Sequence, residues 1–181
     1  MEAIYAVDIK NGLSKDGKIP WTSKKDLKFF VNKTKNNVVI MGRTTYFSLP
    51  EDLRPLRDRL NIVLTNNPSQ YKYLLVNTKN LFFTDYHNIH NALIMDKYNV
   101  IENHPYLNLN FKIFFIGGKT IYEKYMHLCD RIWITRIKKD YHCDLFLHYH
   151  YPKIFYEKKT IENDEELEII VYEKKGNANV P

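Results

Sequence analysis

The sequence predicts an α/β domain with a mostly parallel central sheet, flanking helices and antiparallel C-terminal strands. Three observations carry that expectation. Short apolar runs alternate with segments of helical period along most of the chain, the order that builds βα units. Val38-Val39-Ile40-Met41 is apolar without a break, as suits a strand buried on both faces of a parallel sheet. Near the C-terminus, Phe155-Tyr156 and Leu167–Tyr172 read as strands joined by the acidic loop Glu162–Glu166, an antiparallel finish.

Taken in order, Ala3–Val7 is the first strand. A loop with Asn11-Gly12 and Asp16-Gly17 as turn signals then runs to Trp21. Ser23 or Thr22 is placed to cap a helix over Ser23–Thr34, because a hydroxyl there accepts a free N–H of the first turn. Asn37 turns the chain into the Val38–Met41 strand, and Gly42-Arg43-Thr44 opens a short helix through about Phe47. Pro50 and Pro55 mark a loop before a strand over Leu60–Thr65. Tyr73–Val76 and Leu81–Phe83 read as short strands, and Asn88 as the cap of a helix around Ile89–Met95. Residues 96–110 are polar and aperiodic, which reads as a surface insertion. Phe111–Ile116 is a strand ending at Gly117-Gly118, Lys119–Met126 a helix and Arg131–Ile137 a strand. Residues 176–181 have no apolar period, so the expected division is one domain over 1–175 and a tail or linker over 176–181.

A chain of 181 residues fits one domain with a sizeable core. The net charge of +6 favours acidic partners, but the basic residues are scattered rather than gathered into a patch with aromatics, which argues against nucleic acid. Glu2, Asp8 and Lys10 interrupt the first apolar stretch, unlike a secretory leader, and no run has the length of a membrane span. Cys129 and Cys143 stand in no metal-binding spacing and read as reduced thiols. The histidines from His142 to His150 have no CxxC or HExxH beside them, so no metal is expected. Together these point to a cytoplasmic protein without a membrane partner.

Chemistry centres on Asp26. It falls in the first turn of the helix, beside Trp21, Leu27 and Phe30, on the edge of an apolar face. Such a carboxyl is either a solvated capping acid or an acid in an apolar cleft with a raised pKa. Two strand-to-helix junctions suit phosphates: Met41-Gly42-Arg43-Thr44-Thr45 and Ile116-Gly117-Gly118-Lys119-Thr120. In each, glycine allows close backbone approach and open helix N–H groups favour an anion. Neither is a dinucleotide fingerprint or a P-loop. Two in one α/β domain suit an extended anionic ligand across the carboxyl edge of the sheet.

The residues Ile4-Tyr5-Ala6-Val7-Asp8, Gly12-Leu13, Asp16-Gly17-Lys18-Ile19-Pro20-Trp21, Asp26–Phe30, Val39–Thr45, Leu49–Asn61 and Ile116-Gly117-Gly118 with Tyr122 resemble dihydrofolate reductases in order and spacing. The resemblance spans Ala3 to about Tyr172 and is weakest between Asn66 and Asn110. It implies NADPH-dependent reduction of 7,8-dihydrofolate to 5,6,7,8-tetrahydrofolate, by hydride transfer to pterin C6, in support of one-carbon metabolism and thymidylate synthesis. A pterin or pyrimidine reductase on the same fold need not keep Trp21, Asp26, Phe30 and Arg59 together. A basic binding protein on a decayed version of the fold need not keep Asp26, Thr135 and Gly117-Gly118.

The resemblance makes Asp26, Trp21 and Thr135 the catalytic group, with Asp26 accepting from the pterin's 2-amino group and ring nitrogen. Water, not Asp26, is the implied proton donor to N5. Ile4, Tyr5 and Ile116 wall the pterin pocket, the last two with backbone carbonyls. Leu27, Phe30, Leu49 and Leu56 enclose the substrate rings, and Arg59 grips its α-carboxylate, while Arg54 and Arg57 stay solvated. Ala6, Leu13, Ile19, Gly42, Arg43, Thr44, Thr45, Thr65, Asn66, Gly117, Gly118, Lys119, Thr120 and Tyr122 match NADPH-contacting positions, with Arg43 the cation for the 2′-phosphate and Lys119 a helper. The loop from Asp8 to Trp21 closes over the nicotinamide, with Gly12 and Gly17 as its flexible points. Five positions depart from the pattern. Ser14 replaces a loop glycine, Asn66 and Thr120 stand where some relatives are cationic, and Leu145 with His148 break the motif after Asp144. The tail resembles the junction of bifunctional chains that continue into thymidylate synthase.

Overall fold

The computed structural model describes residues 1–147 and 156–175. In chain order the elements are β1 (Glu2–Val7), β2 (Gly12–Ser14), α1 (Lys24–Thr34), β3 (Val38–Gly42), α2 (Arg43–Ser48), β4 (Leu60–Leu64), β5 (Leu81–Thr84), α3 (Ile89–Leu93), α4 (Lys97–Asn103), β6 (Ile113–Phe115), α5 (Lys119–Tyr125), β7 (Arg131–Ile137), β8 (Leu145–Phe146), β9 (Tyr156–Asn163) and β10 (Leu167–Lys174). Among the described residues eight strands form one sheet in the order β5-β4-β3-β6-β1-β7-β10-β9, and β2 pairs with β8 apart from it. The first six strands in that order run parallel, while β10 is antiparallel to both β7 and β9. The predicted fold class is the observed one.

The apolar run of β3 divides between the two faces, as its period of two requires. Val38 and Ile40 join Ala3, Leu60, Ile62, Phe115 and Ile121 on one side. Val39 and Met41 join Ile4, Val63, Phe114 and Trp133 on the other, where Phe29, Phe30, Phe47 and Leu49 pack from α1 and α2. After β5 the chain returns to insert β6 between β3 and β1. That reversal opens a crevice at the carboxyl edge of the sheet, where ligands of open α/β sheets bind.

Helix α1 starts where the sequence places it. Ser23 is the N-cap, its Oγ accepting the Asp26 N–H at 3.2 Å and donating to Glu166 at 2.7 Å. Lys25 pairs with Asp164, so the β9–β10 turn holds the start of α1. Lys25 and two backbone N–H groups keep the Asp164 carboxyl down at about 2, and this anchor therefore persists into mildly acid solution. On the far side Phe29 packs on Trp133 at 5.9 Å, and Trp133 Nε1 donates to the buried Glu2 carboxylate at 2.6 Å.

Three sequence expectations are corrected. Tyr73–Val76 is not a strand: residues Pro68–Leu75 form a 3-10 helix, with Pro68 at its first position and Tyr71 stacked on Phe83 at 4.9 Å. Residues 96–110 are not irregular, because Asp96 caps α4 by accepting from Tyr98 N and Asn99 N. The segment after α4 is tied down by Asn36 Nδ2 donating to Tyr106 O at 2.6 Å and by burial of Leu107. Arg54 is not solvated: its guanidinium donates to the carbonyls of Phe47 and Leu49, each at 3.1 Å, and lies over the Phe47 ring. Cys129 and Cys143 are buried free thiols. No helix among the described residues is long and apolar enough to cross a membrane. The readings placed on His148–His150, Phe155 and residues 176–181 lie outside the described residues.

Candidate active site

Asp26 stands in the first turn of α1, where the helix dipole favours a carboxylate. Across from it on β7, level with Ala6 of β1, is the buried hydroxyl of Thr135. Burial raises the Asp26 pKa above the ordinary carboxyl value, the hydroxyl of Thr135 and the indole of Trp21 draw it partly back, and the charge of Glu166 adds to the rise. Trp21 Nε1 is buried without a fully formed hydrogen bond among the described residues. An N–H so placed is satisfied when a polar molecule enters the cleft. The solvated-cap alternative for Asp26 is therefore not what the fold provides.

Arg59 is the second unusual charge. It is 7% exposed, yet no carboxylate lies within ion-pair distance of it among the described residues. Its Nε donates to Arg57 O at 3.0 Å, one terminal nitrogen reaches Thr34 Oγ1 at 3.3 Å, and the guanidinium lies 5.8 Å from the Phe30 ring centre. Burial lowers its pKa. A desolvated guanidinium with spare donors is a receptor for an incoming carboxylate. Asn61 fixes the loop that carries it, accepting from Leu56 N and donating to the carbonyls of Leu56 and Arg59, all at 2.9 Å.

The two glycine junctions meet at the reversal in strand order. Gly42 N donates to Gly117 O at 2.8 Å, which joins the end of β3 to the end of β6. Gly117 has φ +121°, a conformation open to glycine, and a Cβ there would lie 3.1 Å from Tyr122 Oη. A Cβ on Gly118 would lie 3.2 Å from Thr45 Oγ1, so side chains at either position would fill the cradle. Helices α2 and α5 begin here without side-chain caps, which leaves first-turn N–H groups for a ligand. Tyr122 Oη donates to Ile4 O at 2.9 Å, and burial holds that hydroxyl protonated far above its ordinary range. These features fit a phosphate-bearing dinucleotide.

The matching family model, described as dihydrofolate reductase, covers residues 1–174. The chain is 31% identical to a dihydrofolate reductase of Aedes albopictus, over 96% of this chain and 90% of that one. It belongs to the dihydrofolate reductase family. It is also 33% identical to a bifunctional dihydrofolate reductase-thymidylate synthase of Daucus carota, over 81% of this chain and 28% of that one. A dihydrofolate reductase of Enterococcus faecalis complexed with NADP(H) shares the fold, with TM-score 0.67 at 24% identity over 97% and 96% of the two chains.

Within the dihydrofolate reductase frame, the expected site residues differ widely in burial. Leu56 is buried, Phe30, Leu49 and Ile116 are half-buried, and Leu27 is 62% exposed. The Ile4 carbonyl accepts from Tyr122 Oη at 2.9 Å, and Tyr5, paired with Ile134 on the ladder with β7, turns its ring onto Tyr122 at 4.9 Å. Thr44 and Thr120 are exposed and Ala6 and Leu13 half-buried, while Ile19 is 64% exposed. Thr65 spends its hydroxyl on Asn67 N at 3.4 Å, Asn66 is exposed, and Lys119 pairs with Glu123 at 3.8 Å. Arg43 is exposed and reaches Tyr71 Oη at 3.5 Å.

The loop from Asp8 to Trp21 is tied rather than loose. Asp16 N donates to Asp144 Oδ2 at 2.9 Å and Asp144 N to Ser14 O at 3.1 Å, so the contact survives the changed motif after Asp144. Gly12 is not a flexible point: it is packed so tightly that a Cβ would lie 2.3 Å from Cys143 Cβ. Gly17, at φ +76° with open space around it, keeps that freedom. Sequence reasoning missed Asn61, Thr34 and Tyr71 as supports of Arg59 and Arg43. A buried-strand asparagine was the one visible signal, because an amide is taken into a core only when its hydrogen bonds are met.

Proposed function

We propose that Asp26, Trp21 and Thr135 are the catalytic group of this reductase, that Arg59 binds the substrate carboxylate, and that the paired glycine junctions hold NADPH. The reaction is the reduction of 7,8-dihydrofolate to tetrahydrofolate, with NADPH supplying the hydride. Asp26 accepts hydrogen bonds from the pterin's 2-amino group and adjacent nitrogen, which fixes the ring and polarises it toward the acceptor carbon. Water brings the proton to N5, because Asp26 is committed to the opposite edge. The loop from Asp8 to Trp21, tied to the segment before β8, keeps bulk water from the reacting atoms. Positioning and a dry site supply most of the rate.

The observation that carries this reading is a half-buried carboxyl, Asp26, whose charge the fold desolvates, together with a buried guanidinium, Arg59, that no carboxylate pairs with among the described residues. Its test is NADPH oxidation by the purified protein with and without dihydrofolate. Oxidation that depends on dihydrofolate is expected. A folded protein that binds NADPH but leaves dihydrofolate unreduced would overturn the reading.

Arg43 gives a sharper test of the cofactor side. Arg43→Ala is expected to narrow the preference for NADPH over NADH by about tenfold or more, as suits one lost charge-assisted phosphate contact. The ratio of the two kcat/KM values measures it, and an unchanged ratio would move the phosphate site to other residues. A cytoplasmic location is supported by the two buried free thiols. A thymidylate synthase domain beyond residue 181 is supported by the likeness to bifunctional relatives, and the mass of the native polypeptide tests it.

A further inference from the structure

Asp8 is fully buried, at 0% exposure, on the turn that follows β1, and it is absent from the roles assigned above. Among the described residues no cation pairs with it. Backbone N–H groups hold it instead. Lys10 N donates to Oδ1 at 2.9 Å and Gly12 N to the same oxygen at 2.8 Å, while Tyr141 N, from the loop after β7, donates to Oδ2 at 3.1 Å. The Cys143 thiol lies against the same carboxylate. Ile9 N donates to Lys139 O at 3.2 Å alongside. One buried carboxylate thus closes the turn and bridges the two loops, one oxygen for each task.

What the bridge holds is next to the chemistry. Tyr141, whose N–H meets Asp8, packs its ring edge-on to Trp21, with centroids 5.6 Å apart and planes at 63°. Trp21 in turn faces Asp26 and favours its ionised form. Four residues beyond Asp8 and bonded to its Oδ1, Gly12 opens β2, the strand that pairs with β8. We propose that Asp8 is a positioning residue for the reduction: its carboxylate clamps the loop after β7 to the turn after β1, and so seats Tyr141 against Trp21 beside Asp26. The inference rests on the dihydrofolate reductase reading of the site.

The clamp needs two acceptor oxygens, which makes Asp8→Asn a near-isosteric test. If the carboxamide oxygen serves Lys10 and Gly12, its NH2 group confronts the Tyr141 N–H, and a donor facing a donor opens the bridge between loops. Single-turnover hydride transfer is measured and divided by the number of NADPH-binding sites, so that loss of folded protein does not count. Asp8→Asn is expected to lower the rate per site by about tenfold or more, as a small misplacement of reacting groups does. Dihydrofolate affinity, set at Arg59, should change by less than about twofold. A rate per site within about twofold of wild type overturns the proposal, even where the number of sites falls, because that is a structural effect alone. Should Asp8→Asn fail to fold, Tyr141→Leu keeps the clamp and removes the ring on Trp21. The same loss per site is expected there, and an unchanged rate overturns the proposal. Wild type, run in parallel, separates the two levels: wild type without turnover sinks the reductase reading, whereas an active wild type with equally active variants sinks only the role of Asp8.

Discussion

Asp26→Asn is expected to cut dihydrofolate-dependent turnover at neutral pH by about a hundredfold or more while making the free protein more stable. The two effects share one cause. Asp26 has a raised pKa because the fold desolvates its charge. A group whose pKa is higher in the folded state favours folding in its protonated form, and that contribution is lost as pH rises through the folded value. At neutral pH the ionised carboxylate therefore destabilises the free protein, and a neutral amide of the same shape removes that burden. The gain in melting temperature should shrink as pH falls and vanish below the ordinary aspartate value of 3.8. Thermal melts across this range, beside steady-state kinetics, check both halves. Near-normal turnover would remove Asp26 from the catalytic group, and a destabilised variant at neutral pH would show that the fold welcomes the charge.

Arg59→Ala is expected to raise the KM for dihydrofolate by about tenfold to a hundredfold, with a smaller change in kcat. A carboxylate far from the reacting carbon is bound about equally in the ground and transition states, so its loss shows as affinity. Arg59→Lys should recover only part of it, because an ammonium cannot offer the two parallel donors of a guanidinium. The KM of both variants for dihydrofolate, with NADPH saturating, makes the measurement. A pure kcat loss in Arg59→Ala would mean that the residue acts on the chemistry and was misassigned.

Where local chemistry decided the structure, the sequence was readable. Ser23 caps α1 because a hydroxyl at that position answers open N–H groups in its own first turn, and Arg131–Ile137 is a strand to the residue because its apolar content suits a site between β1 and β10. Elements that owe their form to distant partners were not readable. The 3-10 helix Pro68–Leu75 exists because Tyr71 stacks on Phe83, which a local pattern of Tyr and Leu cannot announce. Helix α4 packs only Val100 and Ile101 on the core and leaves Tyr98 90% exposed, so its apolar stripe is a single turn long and sets no period to detect. At the site, Asp26 could be singled out by its apolar neighbours in sequence. The burial of Arg59 and the clamp at Asp8 could not, since each is made by segments far apart along the chain.

The seat of α1 carries a consequence for how the protein is made. Asp26 leaves the ribosome early, but the residues that hold the start of its helix, Asp164 and Glu166, sit on the turn before β10. Until that turn has emerged and β10 has zipped onto β7, the helix lacks its anchor and Thr135 lacks its outer neighbour Ile169. Nascent chains halted before the β9–β10 hairpin should therefore remain inert however long they are given, and catalytic competence arrives once β10 has been translated.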